Sequence, residues 1–65
     1  MIYLVNGEKL TRSELIEKVL NLVLDLGKDK APTMAYIGNN TIERNVNKHA
    51  CKIARSLGWE VETII

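Results

Sequence analysis

The sequence predicts an α/β fold: a two-layer sandwich in the order strand, helix, strand, helix, strand, with both helices on one face of a three-stranded sheet. Two observations predict it, namely two amphipathic helical segments with clear start and stop signals, and three short β-prone runs that flank them. Connections between parallel neighbours in one sheet are nearly always right-handed, so both helices are expected on the same face. Residues 1–65 are then one small domain.

The first strand and the first helix have strong local signals. Residues 2–5 (Ile-Tyr-Leu-Val) are an apolar, β-prone run that Asn6-Gly7 ends with a turn. Thr11, with a glutamate three residues later, forms a capping box that starts the first helix. The helix is predicted to run to Leu26, because Gly27 is a typical helix stop.

The apolar arc of the first helix is wider than one sheet contact requires. It spans roughly 200° of the helical wheel, whereas a core-facing stripe needs roughly 100°. Leu20 and Leu24 therefore need additional cover. Either the flank of the second helix or a second subunit can supply it.

Two more strands are predicted, at Thr33–Ile37 and at Trp59–Ile65. Alternation along the three strands assigns one set of residues to the helix-covered face: Ile2, Leu4, Ala35, Ile37, Trp59, Val61 and Thr63. The other face then shows Tyr3, Val5, Met34, Tyr36, Glu60, Glu62 and Ile64. Its tyrosines could stack on unpaired bases, but the glutamates beside them would repel phosphate, so a subunit contact or partly exposed sheet residues are favoured.

The second helix lies within the stretch 38–58 and has two distinct faces. Asn40 is predicted to cap it, with a glutamate reaching back, and Gly58 is predicted to close it, with Trp59 folding onto Ala54. One arc is apolar: Ile42, Val46, Ala50, Ile53, Ala54 and Leu57. The opposite arc is cationic: Arg44, Lys48, Lys52 and Arg55.

Positive charge is concentrated on this helix although the formal net charge is only +1. Residues 39–58 carry four Lys or Arg against one Glu, whereas residues 1–38 carry five basic and five acidic side chains. Local charge density steers an anionic partner more than total charge does. A stripe of this kind either contacts such a partner or is an ordinary solvated helix face.

The turn before the second helix offers another possible anion contact. A glycine turn that leads into a helix start presents free backbone N–H groups and the positive end of the helix dipole. Gly38-Asn39-Asn40-Thr41 has this form, but it lacks the spacing of a phosphate loop or a dinucleotide fingerprint. A plain strand-to-helix turn with a cap is the competing interpretation.

The chain has few residues suited to catalysis or metal binding. His49 and Cys51 are two apart on a helix and are expected to point away from each other, so they do not form a base and nucleophile pair. His49 is interpreted as a packed side chain and Cys51 as a small hydrophobe. We therefore expect no enzyme activity, no metal site and no cofactor.

Location is predicted from what the sequence lacks. One cysteine cannot form an internal disulfide, the N-terminal residues are unlike a secretory signal, and no apolar run is long enough to span a bilayer. These features predict a cytoplasmic protein.

Two stretches resemble the Alba family of nucleic-acid-binding proteins. Residues 3–9 (Tyr-Leu-Val-Asn-Gly-Glu-Lys) are similar to that family's opening strand with the glycine and lysine pair that follow it. Residues 37–46 (Ile-Gly-Asn-Asn-Thr-Ile-Glu-Arg-Asn-Val) are similar to its strand, glycine-containing turn and helix start. The resemblance implies nucleic-acid binding and a strand, helix, strand, helix core before a terminal β hairpin. Glu8 replaces one lysine of the pair, Asn39 and Asn40 stand where the family places arginine, and residues 1–65 include no hairpin arm.

The function predicted is non-catalytic, sequence-indifferent binding of nucleic acid, DNA or RNA, through its phosphates. The predicted contact residues are Lys9, Asn39, Asn40, Arg44, Lys48, Lys52 and Arg55. The alternative is a protein-interaction module, an inhibitor or assembly subunit, that docks an acidic protein. A homodimer is predicted in either case, because so small a domain is expected to cover its apolar surface by self-association.

Overall fold

A computed structural model describes residues 1–64, and Ile65, the last residue of the predicted third strand, lies outside them. The elements in chain order are β1 (Ile2–Val5), β2 (Glu8–Thr11), α1 (Arg12–Leu26), a 3₁₀ helix (Thr33–Ala35), α2 (Ile42–Ser56) and β3 (Val61–Thr63). The strands form one antiparallel sheet in the order β2-β1-β3. The predicted α/β class, with a three-stranded sheet and two helices, is confirmed, but the strands are not parallel and their order along the chain differs.

The sheet begins with a hairpin, and its second strand is absent from the sequence prediction. Asn6 and Gly7 both have positive φ, 50° and 86°, as a two-residue hairpin turn requires. The turn pairs Val5 with Glu8 and Ile2 with Thr11. β2 therefore occupies the place beside β1 that the sequence assigned to a later strand.

The strand predicted at Thr33–Ile37 is wrong. Residues 33–35 form a 3₁₀ helix, with the Ala35 amide donating to the Pro32 carbonyl (3.0 Å) and the Tyr36 amide to the Thr33 carbonyl (2.9 Å). The carbonyls of Ala35 and Ile37, which a strand would pair with a neighbouring strand, instead accept hydrogen bonds from the side chain of Asn45. The segment is thus attached to α2 and not to the sheet.

The face assignment is wrong for β1 and correct for Val61 of β3. Tyr3 and Val5 are 3% and 4% exposed and belong to the core. Leu4 instead lies on the outer face, opposite Lys9 of β2. Apolar residues fill all four positions of β1, so alternation could not identify its inner pair.

The predicted open-sheet patch therefore does not exist as proposed. Tyr3 and Val5 are buried, while Met34 and Tyr36 lie in the segment before α2 and pack against the core. The Tyr36 hydroxyl donates to the Val23 carbonyl at 3.2 Å. These four side chains cannot form the dimer surface that the sequence predicted.

The ends of α1 are as predicted, whereas the start of α2 differs by one residue. Thr11 caps α1 in the predicted capping box, and Gly27 ends the helix with φ 79°. α2 is capped by Thr41 and not by Asn40: the Thr41 hydroxyl accepts from the Arg44 amide at 3.1 Å.

The C-terminal end of α2 has the predicted geometry. Gly58 has φ 91°, and its amide donates to the Arg55 carbonyl at 3.0 Å. The amide of Trp59 donates to the Ala54 carbonyl at 3.1 Å, which returns the chain toward the sheet.

The core lies between the sheet and the two helices. Its largest fully buried side chains are Leu15, Val19, Val23, Val46 and Ile53. Leu20 is half-buried and packs against this core, whereas Leu24 remains 54% exposed.

Candidate functional site

The α2 helix separates an apolar face from a cationic face, as predicted. Val46, Ala50, Ile53 and Ala54 are buried, and Ile42 and Leu57 pack against the core. The cationic residues of the opposite face are all exposed: Arg44, Lys48, Lys52 and Arg55. The apolar face therefore fixes the direction in which the four charges point.

Helix α2 is kinked at His49, whose φ of −127° and ψ of 31° are not helical. Sharp kinks arise where a group other than the usual amide interacts with the helical hydrogen-bond ladder. Here the Arg12 guanidinium donates from Nη2 to the carbonyl of Asn47, two residues before the kink. The first residue of α1 thus contacts the middle of α2.

Arg12 also contacts the sheet, because its Nη1 donates to the Tyr3 hydroxyl at 3.3 Å. A cation in the first turn of a helix opposes the helix dipole, so this position is electrostatically unfavourable on its own. The bonds to Tyr3 and Asn47 place Arg12 beside α2. Arg12 is not among the residues predicted from the sequence, although an arginine directly after a helix cap is a weak signal of a role outside its own helix.

A cavity of about 240 Å³ lies where Arg12 meets α2. Its lining residues are Arg12, Lys48, His49, Ala50, Cys51, Lys52 and Arg55. Four of the seven side chains are cationic and none is acidic. The arrangement suits an anion that presents several hydrogen-bond acceptors.

The cations of this cavity have no carboxylate partner among residues 1–64. Within that range the ion pair is between Lys18 and Glu8, at 2.9 Å, and it lies on α1 and β2. Arg55 donates from Nη2 to the Val61 carbonyl at 3.0 Å, which holds its guanidinium against β3. Its charge, like that of Arg12, is positioned by backbone carbonyls and not neutralised.

A larger cavity, of about 480 Å³, differs from the α2 cavity in the charge of its lining. It lies between the end of α1 and the end of α2, and Lys30 is the one charged residue in its lining. It lacks the concentration of cations that the α2 cavity has.

His49 and Cys51 both contribute atoms to the lining of the α2 cavity, as does the buried Ala50 between them. His49 and Cys51 are each half-buried. That their side chains point away from each other stays a prediction.

The structure brings together only part of the predicted site. Lys48, Lys52 and Arg55 share the cavity, and Arg44 lies one turn earlier on the same helix, outside the lining. Asn39 and Asn40 are exposed in the turn before α2. Lys9 lies elsewhere, because its pairing with Leu4 places it on the outer face of the sheet, away from the helices.

Comparisons of the chain with protein-family models, with curated proteins and with solved structures found no match. The resemblance to the Alba family therefore stays a prediction. No group of three or more His, Cys, Asp or Glu within residues 1–64 could hold a metal ion. None of the helices in that range is long and apolar enough to cross a membrane.

Proposed function

We propose that this protein binds nucleic acid in the cytoplasm, without catalysis, by contacting phosphates through α2 and the cavity beside it. The observation that carries the proposal is the group of four cations, Arg12, Lys48, Lys52 and Arg55, around one cavity with no acidic residue in its lining. Contacts to the phosphate backbone position a protein on nucleic acid without reading bases. Sequence-indifferent binding follows.

The two arginines and the two lysines have different parts in the proposed interface. A guanidinium has five N–H donors. Arg12 donates hydrogen bonds within the protein from two of its guanidinium nitrogens and Arg55 from one, so each retains N–H donors for a phosphate oxygen. Because these bonds already hold the arginines, little side-chain entropy is lost when a phosphate binds. Lys48 and Lys52 are exposed and supply mobile charges beside them.

The surface extends along α2 toward its N-terminus. Arg44, Lys48 and Lys52 are spaced four residues apart, which corresponds to a rise of about 6 Å between successive charges. Such a row can follow one phosphate strand, and the exposed Asn39-Asn40 turn lies at its beginning. Lys9 is not part of the proposed interface, because the outer face of the sheet cannot reach the nucleic-acid strand that α2 contacts.

The test is binding of a labelled 20-base-pair duplex and of a single strand by fluorescence anisotropy across a salt series. If four to five phosphates are neutralised on the duplex, the logarithm of the binding constant falls against the logarithm of salt concentration with a slope of about −4. Lys52→Ala should reduce the slope by about 0.9. Lys28→Ala is the matched control, since Lys28 is an exposed lysine in the turn after α1 and should leave the slope unchanged.

Absence of binding at low salt, or equal effects of Lys52→Ala and Lys28→Ala, would refute the proposal. The same cations could instead dock an acidic protein, which is the second function the sequence allows. Affinity capture from a lysate with and without nuclease separates the two. A protein that stays bound after nuclease treatment and is lost in Lys52→Ala supports the acidic partner.

A further inference from the structure

The outer face of the sheet is separate from the α2 site and has a regular charge pattern. Among residues 1–64, both helices pack on the inner face, where Tyr3, Val5, Leu10 and Val61 are buried. Where the three strands pair, the outer face has two rows across the strands: Thr11, Ile2 and Ile64 in one, and Lys9, Leu4 and Glu62 in the other. The exposed Glu60, opposite Asn6, lies just past the second row. The first row is completed by the Ile64 amide, which donates to the Ile2 carbonyl at 2.8 Å.

The centre of this face is apolar, and its flanks carry opposite charges. Ile2 and Leu4 are half-buried on the central strand, and Ile64 is 46% exposed. Lys9 on β2 and Glu62 on β3 lie on opposite sides of Leu4, each one strand spacing of about 4.8 Å away. Both charged side chains are exposed.

From this pattern we infer that the outer sheet face binds a second copy of the same chain. A two-fold interface needs a surface that is complementary to itself. Rotation about an axis parallel to β1, in the plane between two facing sheets, exchanges the β2 and β3 sides. Lys9 of each subunit then faces Glu62 of the other, and Leu4 meets Leu4 at the centre.

The charges also select this arrangement over its alternatives. A two-fold axis perpendicular to the strands and passing through Leu4 would place Lys9 against Lys9 and Glu62 against Glu62, and like charges at an interface disfavour that packing. A highly acidic partner would be repelled by Glu62, and a highly basic partner would be repelled by Lys9. The second copy satisfies both.

The small area of the face predicts weak association. Three strands about 4.8 Å apart and four residues long give a patch of roughly 14 × 13 Å, smaller than the standard protein interface. We expect a dissociation constant between about 10 µM and 1 mM. In such a dimer the sheets face each other, and both α2 surfaces point outward and stay accessible.

The experiment is sedimentation equilibrium from about 10 µM to 1 mM protein on the wild type, Lys9→Glu, Glu62→Lys and an equimolar mixture of the two variants. We expect the wild type to dimerise and each variant alone to have a dissociation constant at least ten-fold higher, because two like-charge pairs replace two opposite-charge pairs. The mixture should dimerise again, since Lys9→Glu and Glu62→Lys subunits complement each other at both contacts. Leu24→Lys, which adds a charge at an exposed position of α1, should dimerise like the wild type.

Several results would overturn the inference. The wild type could be monomeric throughout the concentration range, or the single variants could dimerise as the wild type does. The mixture could stay monomeric, or Leu24→Lys could abolish the dimer. Both charge reversals are at exposed positions, and circular dichroism of each variant verifies that the fold is retained.

Discussion

Asn45 is the buried polar residue on which the packing of residues 33–37 depends. It is 3% exposed, and its Nδ2 donates to the Ala35 carbonyl at 2.9 Å and to the Ile37 carbonyl at 3.2 Å. Asn45→Ala removes both bonds. Each bond contributes about 1 kcal/mol to the free energy of unfolding, and leaving the buried Ala35 carbonyl without a donor costs about 1 kcal/mol more. The better helix propensity of alanine offsets roughly 0.6 kcal/mol of this loss. The expected loss is therefore about 2 kcal/mol.

That loss is large for a domain of this size. Typical stabilities per residue give roughly 3–10 kcal/mol for 65 residues. The corresponding fall in melting temperature is about 8–16 °C. Urea unfolding, followed by the fluorescence of Trp59 and by far-UV circular dichroism, measures the change in the free energy of unfolding.

Asn47→Ala is the matched control for Asn45→Ala. Asn47 is on the same helix, but it is exposed, and its Nδ2 donates to the Glu43 carbonyl one turn earlier at 2.8 Å. Its replacement should change the free energy of unfolding by less than about 0.5 kcal/mol. If the two variants lost the same amount, the attachment of residues 33–37 through Asn45 would not stabilise the fold as we argue.

Two further predictions concern the helix ends. The pKa of Glu14 lies below its ordinary value of 4.5, because its carboxylate accepts a hydrogen bond from the Thr11 backbone amide. A carboxylate with a lowered pKa stabilises the fold above pH 4.5 and ceases to do so as the pH falls through the lowered value. The wild type should therefore have a higher melting temperature than Glu14→Gln at pH 6, and this difference should vanish near pH 2. A difference that does not depend on pH would contradict this. Gly58→Ala should lower the free energy of unfolding in urea by about 1 kcal/mol, because alanine is strained at φ 91° although no atom lies within 4 Å of an added Cβ. Gly58→Asn should lower it by less. The opposite ranking would show that backbone strain is not the cause.

The sequence predicted the parts of the fold that depend on local signals. α1 begins and ends where the Thr11 capping box and Gly27 place it, and Gly58 closes α2, because caps act over three or four residues. Lys48, Lys52 and Arg55 share a surface because helical periodicity alone brings them together.

The errors occurred where distant residues decide the conformation. Thr33–Ile37 has the composition of a strand, but the carbonyls of Ala35 and Ile37 are bonded by a side chain eight to ten residues away. β2 buries one residue, Leu10, and so shows little of the alternation that predicts a strand. Arg12 joins the candidate site through Tyr3 and Asn47, and neither contact can be inferred from neighbouring residues.

The antiparallel order of the sheet also implies an order of folding. β1 meets β2 across a two-residue turn, whereas its contact with β3 pairs Tyr3 with Thr63, sixty positions apart. Closing the longer loop costs about 3 kcal/mol more in chain entropy, so β3 is expected to join the sheet after the hairpin and to detach before it. Arg55 is held by the carbonyl of Val61 in that strand. Whenever β3 detaches, the guanidinium loses its anchor while the hairpin remains, and the candidate site is disrupted before the rest of the fold.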